Sequence, residues 1–192
     1  KYNIGFFTSV FNKDDLPLLK KINNKIIKIP SHEIYNIDLI SNCLNNFEKV
    51  LISAGASKWN EIKKISKLKN FKKKAILMHC ISSYPCEPKN LNFKKINYIK
   101  KLSPIFGYSG HYNGIDDAIV AISNGATYIE KHFTINKKLP GRDNKFAILP
   151  EDLSKLSSFR DFFTKSYNFK GLNVQKCEMD IYKNYRGRWS GK

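Results

Sequence analysis

Two histidines in this chain each close a short apolar run with a small polar cluster. His111 ends the run that starts at Pro104, and His132 ends the run that starts at Ala126. Because a helical-looking stretch separates the two runs, both imidazoles could meet at one divalent metal ion. A closed structural zinc site needs four protein ligands, whereas two histidines leave coordination positions for water and for a polarised substrate oxygen. The spacing therefore predicts a catalytic metal centre, with hydrogen-bonded structural histidines as the alternative.

The remaining histidines and the cysteines are given no catalytic role. His32 and His79 are expected to be structural. The four cysteines show no CxxC pair or other short spacing, and an intracellular chain of this size does not need disulfides, so free thiols are expected. A cysteine nucleophile is not indicated, because no residue that would activate it accompanies Cys80 or Cys86.

The chain alternates short apolar segments with stretches of helical spacing, which predicts a repeated βα unit. The apolar segments are nearly continuous rather than alternating, as expected for strands of a parallel sheet that is covered on both faces. The predicted strands cover residues 5–9, 25–29, 50–55, 75–80, 104–109 and 127–132, and the clearest helices cover residues 34–47, 57–68, 113–124 and 150–163.

Six successive βα units indicate an α/β protein of the (β/α)8 TIM-barrel class, for which about 250 residues are typical. At 192 residues the chain is shorter, and it begins almost directly on a predicted strand. We therefore expect a barrel that is incomplete at its N-terminus, without its first one or two βα units. Residues 1–175 are predicted to form this catalytic barrel domain. Residues 176–192 are predicted to form a C-terminal tail, which is either a segment that docks on a partner or a disordered end.

Polar side chains gather where the predicted strands end, and the carboxyl ends of barrel strands are where such folds build their active sites. Lys28 offers a cation for an anionic group, and Glu33 offers a carboxylate that could transfer a proton. Small hydroxyls and glycines allow backbone amides to approach phosphate or carboxylate oxygens. The other candidates at the strand ends and in the loops after them are Ser9, Ser31, Ser53, Ser82, Tyr84, Ser109, Glu130 and Asp143.

The formal net charge of +18 invites the prediction of a nucleic-acid partner. Its distribution argues against one, because 30 lysines and only 4 arginines are spread over the predicted helices and loops, whereas nucleic-acid readers rely on the arginine fork. An anionic substrate would still benefit from the positive field. The chain shows no apolar run of about 18 residues and no signal-like segment, so neither a membrane partner nor export is expected. We expect a cytoplasmic protein.

Seven short motifs follow one another along roughly residues 5–155. They are Phe6-Phe7-Thr8-Ser9, Lys28-Ile29-Pro30-Ser31-His32-Glu33, Leu51-Ile52-Ser53-Ala54-Gly55, His79-Cys80 with Tyr84-Pro85, Gly107-Tyr108-Ser109-Gly110-His111, Ile129-Glu130-Lys131-His132-Phe133-Thr134 and Gly141-Arg142-Asp143. In order and spacing they resemble the sialic acid synthase family, which includes N-acetylneuraminate synthase and the related legionaminic and pseudaminic acid synthases. Any one motif would be weak evidence, but seven in the family's order are hard to obtain by chance.

The resemblance implies roles for the candidate residues. His111 and His132 match the family's metal ligands, which hold Mn²⁺ or Mg²⁺ against the aldehyde oxygen of an open-chain sugar. Glu33 matches the acid next to the reacting centre, and we assign it the proton transfer. Ser9, Lys28, Ser31, Ser53, Ser82 and Ser109 fall where the family binds the phosphate and carboxylate of phosphoenolpyruvate, and Tyr84, Glu130 and Asp143 match residues that face the sugar.

The resemblance thus implies a transferase that forms a carbon–carbon bond. It would condense phosphoenolpyruvate with an N-acyl amino sugar, such as N-acetylmannosamine, to give a nine-carbon 2-keto sugar acid and phosphate. Ser83, Gly110 and Arg142 stand where many members have Asn, Asp and Pro. Because two of these changes lie near the substrate, a legionaminic or pseudaminic acid synthase is an alternative. A non-catalytic, basic, anion-binding α/β module is the other alternative.

The resemblance also implies parts that residues 1–192 do not contain. Family members carry an earlier lysine and an earlier glutamate at the active site. They also carry a small C-terminal antifreeze-like domain, which lends an arginine to the partner subunit's site. We therefore expect a homodimer, and we expect this chain alone to hold an incomplete set of catalytic residues.

Overall fold

A parallel sheet of five strands forms the centre of the molecule in the computed structural model, which describes residues 4–23 and 25–190. The strands follow one another across the sheet in chain order. Because all five strands are parallel, their carboxyl ends lie at the same edge of the sheet, and crossover connections join them. The strands are β1 (Ile26–Ile29), β2 (Lys49–Ser53), β3 (Ala75–Cys80), β4 (Phe106–Gly110) and β5 (Tyr128–Lys131).

Helices lie between and after the strands, and the starts of two of them follow from the sequence. The side chain of Asn36 accepts a hydrogen bond from the Leu39 amide at 3.1 Å at the start of the second helix. The long seventh helix begins with Pro150 in its first turn, where a missing N–H costs nothing. The α-helices of the described residues are α1 (Leu16–Ile22), α2 (Ile37–Asn46), α3 (Trp59–Ile65), α4 (Phe71–Lys74), α5 (Ile96–Leu102), α6 (Asp116–Ser123), α7 (Pro150–Ser166) and α8 (Met179–Asn184).

Side chains alternate along each strand and so divide the sheet into two faces. The outer face packs against the helices, and neighbours in register such as Ile52 and Leu77 are fully buried in this main core. The other face is concave, because the five strands curl into part of a barrel. Near the amino ends of the strands this concave face carries a smaller apolar cluster of Leu51, Ile76 and Met78. The predicted incomplete α/β barrel is confirmed.

The first predicted strand, at residues 5–9, is wrong. Within the described residues, Ser9 alone of this segment is bridged, in parallel, to Lys28 of β1. The Thr8 carbonyl accepts a hydrogen bond from the Lys28 amide at 3.1 Å. Phe6 is 66% exposed, so the apolar side chains before Ser9 have no layer to pack against. The segment therefore runs beside β1 as extended chain and forms no ladder of its own.

The four predicted helices are confirmed, and three of them are shorter than the sequence pattern indicates. The helix predicted at residues 34–47 starts only at Ile37, because Ser31–Glu33 form a separate 3-10 turn after β1. The Asn36 amide bonds to the Glu33 carbonyl at 2.9 Å and closes that turn. The helix predicted at residues 150–163 continues to Ser166.

The tail predicted at residues 176–192 contains the short helix α8, whose residues are exposed except for the half-buried Met179. The division at residue 175 stays a prediction. Of the predicted domain, residues 1–3 lie outside the described residues, and of the predicted tail, residues 191–192 do. None of the described helices is long and apolar enough to cross a lipid bilayer.

His79 lies on the outer face of β3 and is fully buried. Its Nε2 donates to the Leu91 carbonyl at 2.8 Å, and its ring centroid lies 5.9 Å from that of Phe93 and 5.8 Å from that of Tyr108. Within the described part of the chain, Nδ1 of His79 has no hydrogen-bond partner. These contacts agree with the predicted structural role.

Burial makes the stability of the protein depend on pH through His79. It lowers the pKa of His79 from 6.5 to about 4, so the folded state keeps the ring neutral while the unfolded chain binds a proton. The neutral ring contributes about 3 kcal/mol to the free energy of unfolding. This contribution is fully present above the unfolded-state pKa of 6.5 and is lost as the pH falls toward 4. Urea unfolding at pH 7 and pH 4.5 should show a weaker pH dependence for His79→Gln than for the unchanged chain. Equal pH dependence in both proteins would refute this assignment.

Candidate active site

The concave face of the sheet changes from apolar to polar toward the carboxyl ends of the strands. Strand register fixes which side chains meet there, since paired residues share a face. Ser109 of β4 is paired with Cys80 on one side and with Glu130 on the other. The concave positions nearest the strand ends are Lys28, Ser53, Cys80, Ser109 and Glu130. Four of these five are residues that the sequence predicts to bind substrate.

A cation and a carboxylate meet on this face across the curl of the sheet. Lys28 Nζ of β1 lies 2.8 Å from Glu130 Oε1 of β5, and the Ser109 hydroxyl donates to the same oxygen at 2.9 Å. The Lys28 side chain is only 10% exposed, so little water screens the pair. Among the described residues, Glu130 is the one acceptor for the Lys28 ammonium, which leaves two of its three hydrogens for an anion.

Gly55, two residues after β2, is buried against polar side chains of the strand ends. The Gly55 amide donates to Ser31 Oγ at 3.2 Å, and Ser31 Oγ lies 3.5 Å from Cys80 Sγ. A Cβ atom on Gly55 would lie 2.5 Å from Ser82 Oγ and 2.8 Å from Ser31 Oγ, so only glycine fits at this position without moving them. The nearby Ser53 hydroxyl is buried and, within residues 4–23 and 25–190, lacks a hydrogen-bond partner.

The two predicted metal ligands are neighbours in space. His111 follows β4, His132 follows β5, and their ring centroids are 5.3 Å apart. Metal–imidazole bonds are about 2.1 Å long, so one ion could reach both rings. His111 is buried, whereas the His132 side chain is 31% exposed. The pair is therefore accessible from one side.

Each imidazole faces an oxygen acceptor with its Nδ1 atom. His111 Nδ1 lies 2.9 Å from the Ile81 carbonyl, which can only accept, so this nitrogen carries the proton. His132 Nδ1 lies 3.4 Å from Asp143 Oδ2. In the described residues neither Nε2 has a hydrogen-bond partner, and metal-binding histidines are commonly held in this way. Burial also lowers the pKa of His111, which favours the neutral ring that binds metals.

The donor set fits an open metal site and not a closed one. Across residues 4–23 and 25–190, no group of three or more His, Cys, Asp or Glu side chains is arranged to hold a metal ion. Two imidazoles whose Nε2 atoms have no partner among the described residues leave the other coordination positions to water and substrate, as in catalytic sites. His111 and His132 are therefore the residues that could hold the cation.

Two aromatic rings cover one side of the histidine pair. The Tyr84 ring centroid lies 4.1 Å from that of His111, and the Phe146 centroid lies 5.1 Å from that of His132. The loop after β5 folds back through a hydrogen bond of 2.8 Å from the Ile148 amide to the His132 carbonyl, which brings Phe146 inward. Sequence reasoning missed Phe146, because one aromatic residue in a loop resembles any core residue.

Glu33 and Ser9 lie close to the site in the chain but make few contacts in it. Glu33 ends the 3-10 turn after β1, and its Oε2 accepts a hydrogen bond from Asn36 Nδ2 at 3.2 Å. The sequence places Glu33 beside the Lys28 anion site, but the carboxylate that contacts Lys28 is that of Glu130, because the curl of the sheet brings β1 and β5 together. Ser9 is bridged to Lys28 and shares its face. The proton-transfer role of Glu33 stays a prediction.

Together these features define an incomplete (β/α) barrel with a buried lysine and a histidine pair at the carboxyl ends of its strands. The chain belongs to the NeuB family, whose model matches residues 1–166. The N,N'-diacetyllegionaminic acid synthase of Campylobacter jejuni is 34% identical over 161 residues, which are 81% of this chain and 48% of that enzyme. The N-acetylneuraminate-9-phosphate synthase of Drosophila melanogaster is 30% identical over 189 residues, which are 96% of this chain and 49% of that enzyme. The chain thus spans about half the length of these curated relatives.

Solved structures share the same fold. The crystal structure of N-acetylneuraminic acid synthetase from Leptospira borgpetersenii, in complex with citrate, superposes with a TM-score of 0.85 at 33% identity. That match covers 99% of this chain and 67% of the Leptospira chain. A DAHP synthase from Thermotoga maritima has a TM-score of 0.69 at 20% identity over 84% of this chain and 51% of its own, which shows a common fold only.

Replacement of Gly55 by alanine should disturb the close packing around this residue. The new Cβ would force the Ser31 and Ser82 hydroxyls and the Cys80 thiol to move, so we expect a loss of about 1–3 kcal/mol in the free energy of unfolding. Gly5→Ala is the matched control, because no atom lies within 4 Å of its new Cβ. Denaturant titrations of both variants measure the difference, and equal stability of the two would contradict the close packing described here.

Proposed function

We propose that this chain forms the barrel part of a synthase that joins phosphoenolpyruvate to an open-chain N-acyl amino sugar. N-acetylmannosamine or a close relative would be the acceptor, and the products would be phosphate and a nine-carbon 2-keto sugar acid. The observation that carries the proposal is the adjacency of His111 and His132, 5.3 Å apart between ring centroids, beside the cation of Lys28 at the strand ends. Membership of the NeuB family supports it, since relatives are sialic and legionaminic acid synthases by name.

The strand ends offer binding groups for the two acidic groups of phosphoenolpyruvate. The Lys28 ammonium keeps two hydrogens free, and the buried Ser53 hydroxyl lacks a partner among the described residues. Ser9, Ser31, Ser82 and Ser109 are assigned to the same anion. The net charge of +18 would raise the local concentration of such a substrate.

The histidine pair would hold the divalent cation, Mn²⁺ or Mg²⁺. When bound, that ion would polarise the carbonyl oxygen of the sugar and stabilise the negative charge that develops on it. The Ile81 carbonyl and Asp143 keep the two imidazoles oriented. Tyr84 packs beside His111 and excludes water from one side of the pair.

The carboxylates of the chain would manage protons and charge during the reaction. A bond forms between the methylene carbon of phosphoenolpyruvate and the aldehyde carbon of the sugar, and water then adds at C2 before phosphate leaves. We assign proton transfer at the reacting centre to Glu33. Glu130 neutralises Lys28 in the absence of substrate and, with Tyr84 and Asp143, faces the sugar.

The proposed reaction has two candidate acceptors. The similarity to the Campylobacter legionaminic acid synthase makes a diacetylated amino sugar the second candidate acceptor. Incubation of the protein with Mn²⁺, phosphoenolpyruvate and a panel of N-acyl hexosamines should release phosphate with one of them, and the product mass would name the acid. A chain that neither releases phosphate nor binds phosphoenolpyruvate would be the non-catalytic module instead. The homodimer stays a prediction of the family resemblance.

Removal of either histidine of the pair should abolish manganese binding without unfolding the chain. His111→Ala and His132→Ala each delete one of two protein ligands. His32→Ala is the matched control, because this exposed ring stacks on Phe11 with centroids 5.4 Å apart and lies outside the pair. Calorimetric titration with Mn²⁺ measures affinity, and circular dichroism verifies folding. Unchanged affinity in His132→Ala would count decisively against the site.

Lys28→Met should weaken binding of phosphoenolpyruvate by at least about tenfold, because a charge-assisted contact of this kind contributes about 1.5–3 kcal/mol. Lys49→Met is the matched control. Lys49 shares the concave side of the sheet, but it lies at the opposite end of β2, where it contacts the Tyr128 hydroxyl at 3.1 Å. Isothermal titration of both variants with phosphoenolpyruvate makes the comparison, and similar losses in both would indicate diffuse charge attraction instead of a site.

A further inference from the structure

Lys131 connects the backbone next to both histidines of the pair. Lys131 is the last residue of β5 and directly precedes His132. Strand alternation turns its side chain to the outer face, away from the substrate side. Its Nζ donates to the carbonyl of Tyr112 at 2.8 Å, and Tyr112 is the residue after His111. One ammonium group therefore links the chain beside His111 to the chain beside His132.

Asp117 and Tyr108 hold this ammonium in place. Lys131 Nζ lies 3.0 Å from Asp117 Oδ1 and 2.9 Å from Oδ2, and the Tyr108 hydroxyl donates to Oδ2 at 2.9 Å. The Lys131 side chain is 4% exposed and that of Asp117 is fully buried. Asp117 also lies in the first turn of α6, where the helix dipole favours a carboxylate. The three groups are thus fixed relative to one another.

Stability alone does not explain a buried ion pair in this layer. Its surroundings between the sheet and α7 are apolar, with Ala118, Ile122 and Leu156 forming a core cluster. Buried ion pairs can often be replaced by apolar groups of similar volume without loss of stability, because desolvation of the charges offsets their attraction. What apolar groups could not reproduce is the directed contact to the Tyr112 carbonyl.

Gly110 makes room for the carboxylate of Asp117. A Cβ atom on Gly110 would overlap Asp117 Oδ2 and would lie 2.5 Å from an atom of the Tyr108 ring. The carboxylate therefore occupies the space that a side chain at position 110 would otherwise take. A carboxylate carried by residue 110 itself would stand close to the place where Asp117 now neutralises Lys131.

We propose that Lys131, Asp117 and Tyr108 form a positioning network that sets the spacing of His111 and His132. Lys131 does not face the substrate, so it is a positioning residue and not a catalytic one. The inference rests on the proposed function where it concerns the metal ion. The spacing of the two rings can be measured without any ion.

The test compares four variants of the whole chain. Lys131→Met removes the cation, Gly110→Asp crowds a second carboxylate against Asp117 and Tyr108, and the double variant Lys131→Met/Asp117→Asn removes both charges but keeps an acceptor for the Tyr108 hydroxyl. Lys13→Met is the matched control, because its ion pair with Asp38 at 3.1 Å is exposed. Mn²⁺ affinity by calorimetry and contacts between the two imidazoles by nuclear Overhauser effects are measured for each.

Lys131→Met and Gly110→Asp should each lower Mn²⁺ affinity by about 10–100-fold, as loss of groups that orient metal ligands does. The double variant Lys131→Met/Asp117→Asn should fold and show a loss of the same size, and Lys13→Met should bind like the unchanged chain. Unchanged Mn²⁺ affinity in Lys131→Met would overturn the proposal.

Two further results separate this inference from the proposed function. If the unchanged chain binds no Mn²⁺, the proposed metal site fails, and the ring-to-ring contacts then decide alone: identical contacts in Lys131→Met overturn the network. If Lys131→Met does not fold, the double variant Lys131→Met/Asp117→Asn decides, since Mn²⁺ affinity equal to that of the unchanged chain would overturn the proposal.

Discussion

The site depends on one geometric constraint, the alternation of side chains along parallel strands whose carboxyl ends share an edge. The constraint sends Lys28, Ser109 and Glu130 to the concave face, while the residues between them build the helix-facing core. Because the sheet curls, its first and last strands face each other, and the Lys28–Glu130 pair forms across 102 positions of sequence. The candidate substrate-binding groups and the core are thus specified by the same strands.

The charged groups near the strand ends lie on both faces of the sheet. On the concave side, Lys28 is partly available to an anion, since Glu130 and the Ser109 hydroxyl engage only part of its hydrogen-bonding capacity. On the outer side, Lys131 is fully committed to Asp117 and to a backbone carbonyl. Adjacent residues of one strand therefore make different contacts: Glu130 pairs with Lys28 on the concave side, and Lys131 pairs with Asp117 on the outer side.

The sequence predicted those parts of the fold and site that depend on local pattern. Five strands follow from nearly continuous apolar runs, and the meeting of His111 and His132 follows from their positions after neighbouring parallel strands. The segment at residues 5–9 has the same apolar content but no packing layer, which local pattern does not reveal. The pairing of Lys28 with Glu130 instead of Glu33 and the approach of Phe146 depend on the curl of the sheet and the path of a loop.

The central claim is that His111 and His132 bind one divalent ion through their Nε2 atoms. Pulsed electron paramagnetic resonance on the Mn²⁺-loaded protein, with ¹⁵N-labelled histidine, counts the imidazole nitrogens directly bound to the ion. The account predicts two such nitrogens per manganese. A spectrum with no histidine nitrogen, or with only one, would contradict it.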